Sequence, residues 1–412
     1  MQHKKYYPWV VVGLLWVVAL LNYLDRQMLS TMKPSMMMDI VELESATNFG
    51  RLMAIFLWIY GFMSPVSGII ADRLNRKWLI VGSLAVWSAV TWMMGYTTNF
   101  NQLYVLRAIM GVSEALYIPT ALSLIADYHT SKTRSLAVGL HMTGLYMGQA
   151  LGGFGATLAA NYSWQQTFHY FGLVGIAYAL ILVFLLHEKK SGIPDDALVS
   201  PKPETIPVLK GLGMLFVNIS FWVLLFYFAI PSLPGWATKN WLPTLFSENL
   251  NMEMATAGPI STITIAVSSF IGVLIGGILS DRWVQKNIKG RIYTSAIGLG
   301  LTIPSLFLLG YGNSLFALVG AGSLFGIGFG MFDANNMPIL MQIVPSRLKG
   351  TAYGLMNMIG VFAGALVTSW LGRAADADNL GKNFAMLAII VGLALVVQLI
   401  FLKPKAEKEL AN

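Results

Sequence analysis

The sequence predicts an all-α integral membrane protein with twelve transmembrane helices in two six-helix halves. Three observations predict it: an apolar composition, twelve apolar runs of spanning length, and a set of motifs that occurs twice. The 412 residues are 56% hydrophobic and 11% charged, with a mean hydropathy of +0.64. A water-soluble chain carries about 25% charged residues, because it must cover its core with polar surface. A bilayer removes that demand. The 40 glycines and 12 tryptophans fit the same setting. Glycine lets helices approach closely in lipid, and tryptophan suits the membrane interface. Cysteine is absent, which excludes disulfides, thiolate metal sites and a cysteine nucleophile.

A span needs roughly 20 apolar residues. Spans are expected at 8–30, 50–71, 78–97, 101–126, 135–160, 167–187, 214–246, 257–280, 292–311, 314–343, 350–373 and 383–402. The first run lacks a small-x-small cleavage site and ends in polar Asn22, Asp25 and Arg26, so it reads as a retained span. Pro231 and Pro234 are expected to break the seventh span near its middle.

The basic residues fall at alternate connections. Lys4 and Lys5 precede span one, Arg73, Arg76 and Lys77 follow span two, and Lys132 and Arg134 follow span four. Lys189, Lys190, Lys202 and Lys210 follow span six, and Arg282, Lys286, Lys289 and Arg291 follow span eight. Arg347 and Lys349 follow span ten, and Lys403, Lys405 and Lys408 follow span twelve. These are 20 of the 27 lysines and arginines. The positive-inside rule then puts both termini in the cytoplasm. A nucleic-acid binder would concentrate the net charge of +8 in one module, so no nucleic-acid partner is expected. The polar stretch from Glu188 to Lys210 reads as a cytoplasmic linker. It divides the chain into a first bundle at 1–187, a linker at 188–210 and a second bundle at 211–412.

An internal repeat supports that division. Gly68-Ile-Ile-Ala-Asp72-Arg73 recurs as Gly277-Ile-Leu-Ser-Asp281-Arg282. Arg134 through Gly139 recurs as Lys349 through Gly354. Gly111-Val-Ser-Glu114-Ala115, running on to Pro119, recurs as Gly330-Met-Phe-Asp333-Ala334, running on to Pro338. Parallel halves of this kind are a known transporter plan.

The loop Gly68–Lys77 puts a carboxylate and several cations at a cytoplasmic helix end. Its small residues would let two helices meet, and Asp72 could bind a helix N-terminus or an arginine. The alternative is ordinary loop solvation. Its G-x-x-x-D-R-x-x-R-K form resembles the signature loop of the major facilitator superfamily. That resemblance covers the whole chain and implies two six-helix bundles, a central cavity and alternating access. Gly68, Asp72, Arg73, Asp281 and Arg282 would then be gating residues. The downstream basic part of the second copy is stretched to Lys289 and Arg291.

Charges inside a span are costly and usually functional. Asn22-Tyr23-Leu24-Asp25-Arg26-Gln27 ends the first apolar run. It is either a solvated helix end or a set of cavity residues. The string resembles the anion:cation symporter branch of the superfamily, which includes sugar-acid and sialin-like transporters. It also occurs in spinster-like lipid transporters. In the fourth span Arg107 and Glu114 are seven residues apart, hence on one face but too far apart for a direct pair. Partners on other helices are expected, with Asp25 and Arg26 as candidates. A carboxyl buried in a membrane can carry a proton, and a fixed ion pair is the alternative. The sugar-acid symporters imply that Arg26 holds the substrate carboxylate, Asp25 and Glu114 are proton sites, and Arg107 is their partner.

Further substrate-contact candidates are Tyr23 and Tyr60, then His141, Tyr146 and Gln149 in span five. Asn335, Asn336 and Asn357 are placed with them, because amides suit sugar hydroxyls. Helix packing is the alternative for each amide and for the histidine. Asn240-Trp241-Leu242-Pro243 resembles a W-x-P signature of the same branch.

No H-E-x-x-H, P-loop or G-x-S-x-G motif is present, so neither enzyme chemistry nor nucleotide-driven transport is expected. No cofactor or metal is expected; a proton gradient would be the driving force, with sodium the alternative ion. The expected protein is a monomeric inner-membrane proton symporter of a monocarboxylate sugar acid, such as a hexonate, a hexuronate or a sialic acid. A spinster-like lipid or lysolipid carrier is the alternative within transport, and a channel is the alternative outside it.

Overall fold

A computed structural model describes residues 3–189, 208–345 and 348–404. Most of the expected linker, 190–207, lies outside the described residues, as does Arg347. The described secondary structure is helical. It runs α1 (His3–Met36), α2 (Ala46–Arg73), α3 (Arg76–Met94), α4 (Phe100–Ala115), α5 (Tyr117–Tyr128), α6 (Ser131–Gly152), α7 (Gly155–Asn161) and α8 (Trp164–Leu185). It continues with α9 (Val208–Val217), α10 (Ile219–Leu250), α11 (Met254–Val284), α12 (Gly290–Tyr311), α13 (Leu315–Met341), α14 (Lys349–Asp376) and α15 (Leu380–Phe401).

Among the described residues, eleven helical stretches are long and apolar enough to cross a membrane. The remaining expected span, the fifth, is realised as α6 and α7, separated at Gly153 and Phe154. Thr133, Arg134, His141, Thr143 and Gln149 make α6 more polar than the other spans. The fourth span is also divided, at Leu116. Pro119 has no N–H to give the carbonyl of Ala115, so the first helix ends there and a second begins at Tyr117.

The expected break at Pro231 and Pro234 does not occur. Helix α10 runs unbroken through Pro231, Pro234 and Pro243. Each proline leaves the carbonyl four residues before it without its helical donor. The nearby hydroxyls bond other carbonyls: Ser232 donates to Phe228 O at 2.7 Å, and Thr238 to Pro234 O and Gly235 O at 3.0 Å each. Pro231, Pro234 and Pro243 are buried, a setting in which spanning helices tolerate proline. The interruption falls earlier, at Asn218 between α9 and α10, where the Asn218 side chain caps Ser220 N.

The chain forms two compact units: Met1–Glu44 with Ile55–Lys202, and Ser45–Ala54 with Pro203–Asn412. The first turns of α2 therefore group with the second unit. Within the first unit, α1 packs on α6, and α3 on α4 and α8. Within the second, α10 packs on α14, and α12 on α13 and α15. In span numbers the plan is the same: first with fifth and third with fourth and sixth, then seventh with eleventh and ninth with tenth and twelfth.

Close packing is set by glycines. A Cβ at Gly144 would meet Trp16 O at 2.6 Å, and one at Gly152 would meet Leu24 O at 2.9 Å. Side chains there would push α6 off α1. Apolar side chains such as Leu180, Phe184, Leu393 and Ile400 remain exposed on the units and suit contact with lipid.

Candidate functional site

In the first unit the polar centre is built from α1, α2, α3 and α4. Arg26, on α1, donates from Nε to Glu114 Oε2 on α4 at 2.5 Å. Asn22, one helical turn before Arg26, donates to the same oxygen at 3.0 Å. Glu114 is fully buried, while the Arg26 side chain keeps 11% exposure. Three rings surround the guanidinium: Cζ lies 5.1 Å from the Tyr23 ring centre, 4.8 Å from Phe56 and 4.7 Å from Tyr60. Phe56 also carries Arg107, whose Cζ is 4.6 Å from the same ring. Its place depends on Gly111, because a Cβ there would meet Phe56 O at 2.8 Å and drive α2 from α4.

Asp25 is 5% exposed and accepts a hydrogen bond from Thr91 of α3 at 3.3 Å. It feels the negative charge of Glu114 and the positive charge of Arg107. Arg107 makes no direct ion pair among the described residues; Nη1 contacts Met110 Sδ at 3.1 Å. The site thus holds two cations and two carboxylates within one unit, and only Arg26 and Glu114 touch. Removing a proton from Arg is not available, whereas either carboxyl can take one. Charge can therefore be altered at the acids and redirected at Arg26.

His141 is fully buried, with Nε2 2.9 Å from Tyr117 Oη. Tyr117 gives its single hydrogen to Leu15 O at 2.6 Å, so His141 must donate from Nε2. Its Nδ1 is then a bare acceptor, and it has no partner among the described residues. Gln149 is buried on the same helix and Tyr146 is half-buried.

In the second unit, Tyr227 of α10 contacts Ser295 Oγ of α12 at 2.8 Å and donates to Asn336 Oδ1 of α13 at 3.0 Å. Asn336 in turn donates to Asp333 Oδ1 at 3.2 Å. Asn335 is fully buried and donates to Met331 O at 2.8 Å, with Oδ1 unpartnered among the described residues. Asn357 is half-buried on α14. Lys239 of α10 lies 4.8 Å over the Trp236 ring and acts electrostatically on Asp333. Lys239 is not among the sequence-predicted residues, although a cation within an apolar span is the signal that marks such positions. Phe56, Thr91 and Tyr117 carry no such signal, because their roles rest on contacts between helices.

The loop residues are arranged differently from the expectation of close approach. Among the described residues, nothing beyond the neighbouring turns of their own helices lies within 4 Å of a Cβ built on Gly68 or Gly277. Arg73 and Arg282 are exposed, and the side chain of Asp72 lies outside the described residues. Arg76 donates to Asp127 at 2.6 Å, and Glu188 accepts from Lys77 N at 2.8 Å. Asp281 pairs with Arg291 at 3.5 Å.

Spanning helices in two repeated units, with ionisable groups buried inside each, define a membrane transporter. Residues 15–368 match the Major Facilitator Superfamily, and the chain belongs to that family. Its curated relatives include the "Probable galactarate/D-glucarate transporter GarP" of Escherichia coli (strain K12), 23% identical over 387 residues, 87% of this chain and 85% of that one. The gallate transporter of Pseudomonas putida is 26% identical over 422 residues, covering 94% of this chain and 89% of its own length. Among solved structures, a bacterial homolog of the human lysosomal transporter Spinster, inward-facing and unoccupied, superposes with a TM-score of 0.82. It is 18% identical and covers 96% of this chain and 97% of its own, a likeness of fold alone.

Proposed function

We propose that the protein imports a small organic anion, a sugar acid, by proton symport with alternating access. The observation that carries this reading is the Arg26–Glu114 pair at 2.5 Å, with Asp25 beside it on the same helix turn. A buried cation whose counter-charge can be neutralised is an anion site under proton control. Protonation of Glu114 releases Arg26, which then takes the substrate carboxylate. Asp25 is the second proton-accepting group, and Arg107 offsets the remaining negative charge. The half-exposed rings of Tyr23 and Tyr60 flank the guanidinium and would stack on the bound anion's face. An unpaired buried charge is costly, so partly loaded states resist the conformational switch. The printed names of relatives support the substrate class, since they describe carriers of a sugar diacid and an aromatic acid. Under this reading the driving force is the proton gradient, the working unit is a monomer, and the membrane is the inner membrane with both termini cytoplasmic. Tyr146, Gln149, His141, Asn335, Asn336 and Asn357 are proposed to supply polar contacts for the hydroxyls. Gly68, Asp72, Arg73, Asp281 and Arg282 are proposed to act in gating.

The test is uptake of labelled sugar acids and aromatic acids into proteoliposomes, with and without an inward proton gradient. Wild type should accumulate at least one acid against its gradient. Glu114→Gln and Asp25→Asn should lose accumulation while still exchanging substrate across the bilayer. If folded wild-type protein neither accumulates nor exchanges any acid, the reading fails, and lysolipid substrates become the next to try.

A further inference from the structure

In the first unit one aromatic ring serves two cations. The guanidinium carbon of Arg26 lies 4.8 Å from the ring centre of Phe56, and that of Arg107 lies 4.6 Å from it. The arginines come from α1 and α4 and the ring from α2, and all three residues belong to one compact unit. Tyr23 and Tyr60 also line Arg26, but both are half-exposed, whereas Phe56 is 2% exposed. A cation over a ring face gains most where water is excluded, so Phe56 is the ring with the strongest hold.

Arg107 has few other contacts. It is 3% exposed and makes no ion pair among the described residues. Its Nη1 reaches the sulfur of Met110 at 3.1 Å, and its Nε has no hydrogen-bond partner among the described residues. The charges of Glu114 and Asp25 act on it without touching it. A guanidinium cannot shed its charge. The Phe56 ring supplies a contact that accepts a cation and does not itself titrate.

The same ring matters to Arg26 for a different reason. Glu114 bonds Arg26, and its charge also acts on Arg107. When the acid takes a proton, both arginines lose that charge together, and two cations on one ring repel each other. The face of the ring stays partly negative whatever the state of Glu114. Its place is fixed by close helix packing. A Cβ on Gly111 of α4 would meet Phe56 O at 2.8 Å and Ile59 Cβ at 3.1 Å, so α2 lies hard against the helix that carries Arg107 and Glu114.

From these contacts we infer that Phe56 is a positioning residue of the anion site: its ring face holds Arg107 in place and keeps Arg26 aimed while Glu114 is neutral, so the electron density of the ring sets the affinity for the substrate acid. The inference rests on the organic-anion reading. It adds an uncharged residue on which the exchange of Glu114 for substrate depends. If Phe56 only filled space, any side chain of its size and shape would serve.

Fluorine drains a phenyl face of electron density with little change in volume, so a fluorinated series separates the two roles. Phe56 is replaced by 4-fluoro-, 3,5-difluoro- and 3,4,5-trifluorophenylalanine through nonsense suppression. Phe56→Leu is made beside them, and folding is checked by size-exclusion chromatography. Uptake is measured in proteoliposomes for an acid that wild type carries. KM should rise stepwise with each fluorine, reaching about tenfold for the trifluoro ring, while kcat changes by less than about threefold. Phe56→Leu should lose at least as much affinity. Without substrate, the melting temperature should also fall stepwise. That fall should be shallower on an Arg107→Gln background, where one of the two cations is gone. A flat fluorine series beside a damaged Phe56→Leu overturns the inference, since that is the signature of packing, and it leaves the organic-anion reading standing. A melting-temperature slope unchanged by Arg107→Gln overturns it too, because the ring would not then be holding Arg107. Failure of wild type to carry any organic acid overturns the organic-anion reading itself, and this inference with it.

Discussion

Replacing Glu114 by Gln removes one charge and keeps the shape of the side chain. Arg26 is then a cation with 11% exposure and no counter-charge in contact. Breaking a buried pair by removing one partner costs about 3–5 kcal/mol. Two features put this case at the lower end. The guanidinium keeps some access to solvent, and the rings of Tyr23, Phe56 and Tyr60 remain within 5.1 Å. Each such ring contributes up to about 1 kcal/mol. The expected loss is about 3 kcal/mol, which for a unit of this size lowers the melting temperature in detergent by about 6–12 °C. Arg26→Gln should cost less, because the carboxyl left behind can take a proton while a guanidinium cannot lose one. The double variant Glu114→Gln with Arg26→Gln should be more stable than Glu114→Gln alone, since it leaves no buried charge at the pair. Thermal unfolding of the four proteins, followed by tryptophan fluorescence, gives the coupling directly. Strictly additive losses would mean that the two side chains do not depend on each other, and the charge argument would be wrong.

Other perturbations probe the surrounding architecture. Gly111→Val should destabilise by about 1–3 kcal/mol through overpacking against Phe56, and should weaken substrate affinity as well because Phe56 supports both arginines; thermal unfolding and a binding titration read the two effects. Tyr117→Phe should cost about 1–3 kcal/mol, since it strips partners from both Leu15 O and His141 Nε2, whereas Tyr178→Phe, which loses one bond to Leu14 O from a half-buried site, should cost less. Comparable melting temperatures for the two variants would contradict that ranking. Asp376→Ala should free the first turn of α2, because Asp376 accepts from Ser45 Oγ, Ala46 N and Thr47 N. A loss of about 1–2 kcal/mol is expected for a cap of this kind, and faster hydrogen exchange at Ala46 and Thr47 is the local readout.

Hydropathy was enough to locate the spans, because lipid imposes a length and an apolar surface that no partner helix can alter. The repeat was equally legible: Asp72 with Asp281 and Glu114 with Asp333 occur at nearly constant separation. Helical periodicity put Arg107 and Glu114 on one face and ruled out a direct bond between them. Proline was a less reliable guide. Pro119 divides the fourth span, but Pro231 and Pro234 leave α10 intact, since both are buried among packed neighbours, where a spanning helix tolerates proline. Which acid Arg26 would take was not readable from the chain. Asp25 is its immediate neighbour, yet adjacent residues on a helix point about 100° apart, and Glu114 on another helix takes the bond. Lys239 has no sequence neighbour resembling those of Arg26 except an aromatic three residues before it. Its electrostatic influence on Asp333 appears only once α10 and α13 are side by side. Spacing along the chain determines what shares a face of one helix, and packing between helices determines which charges meet.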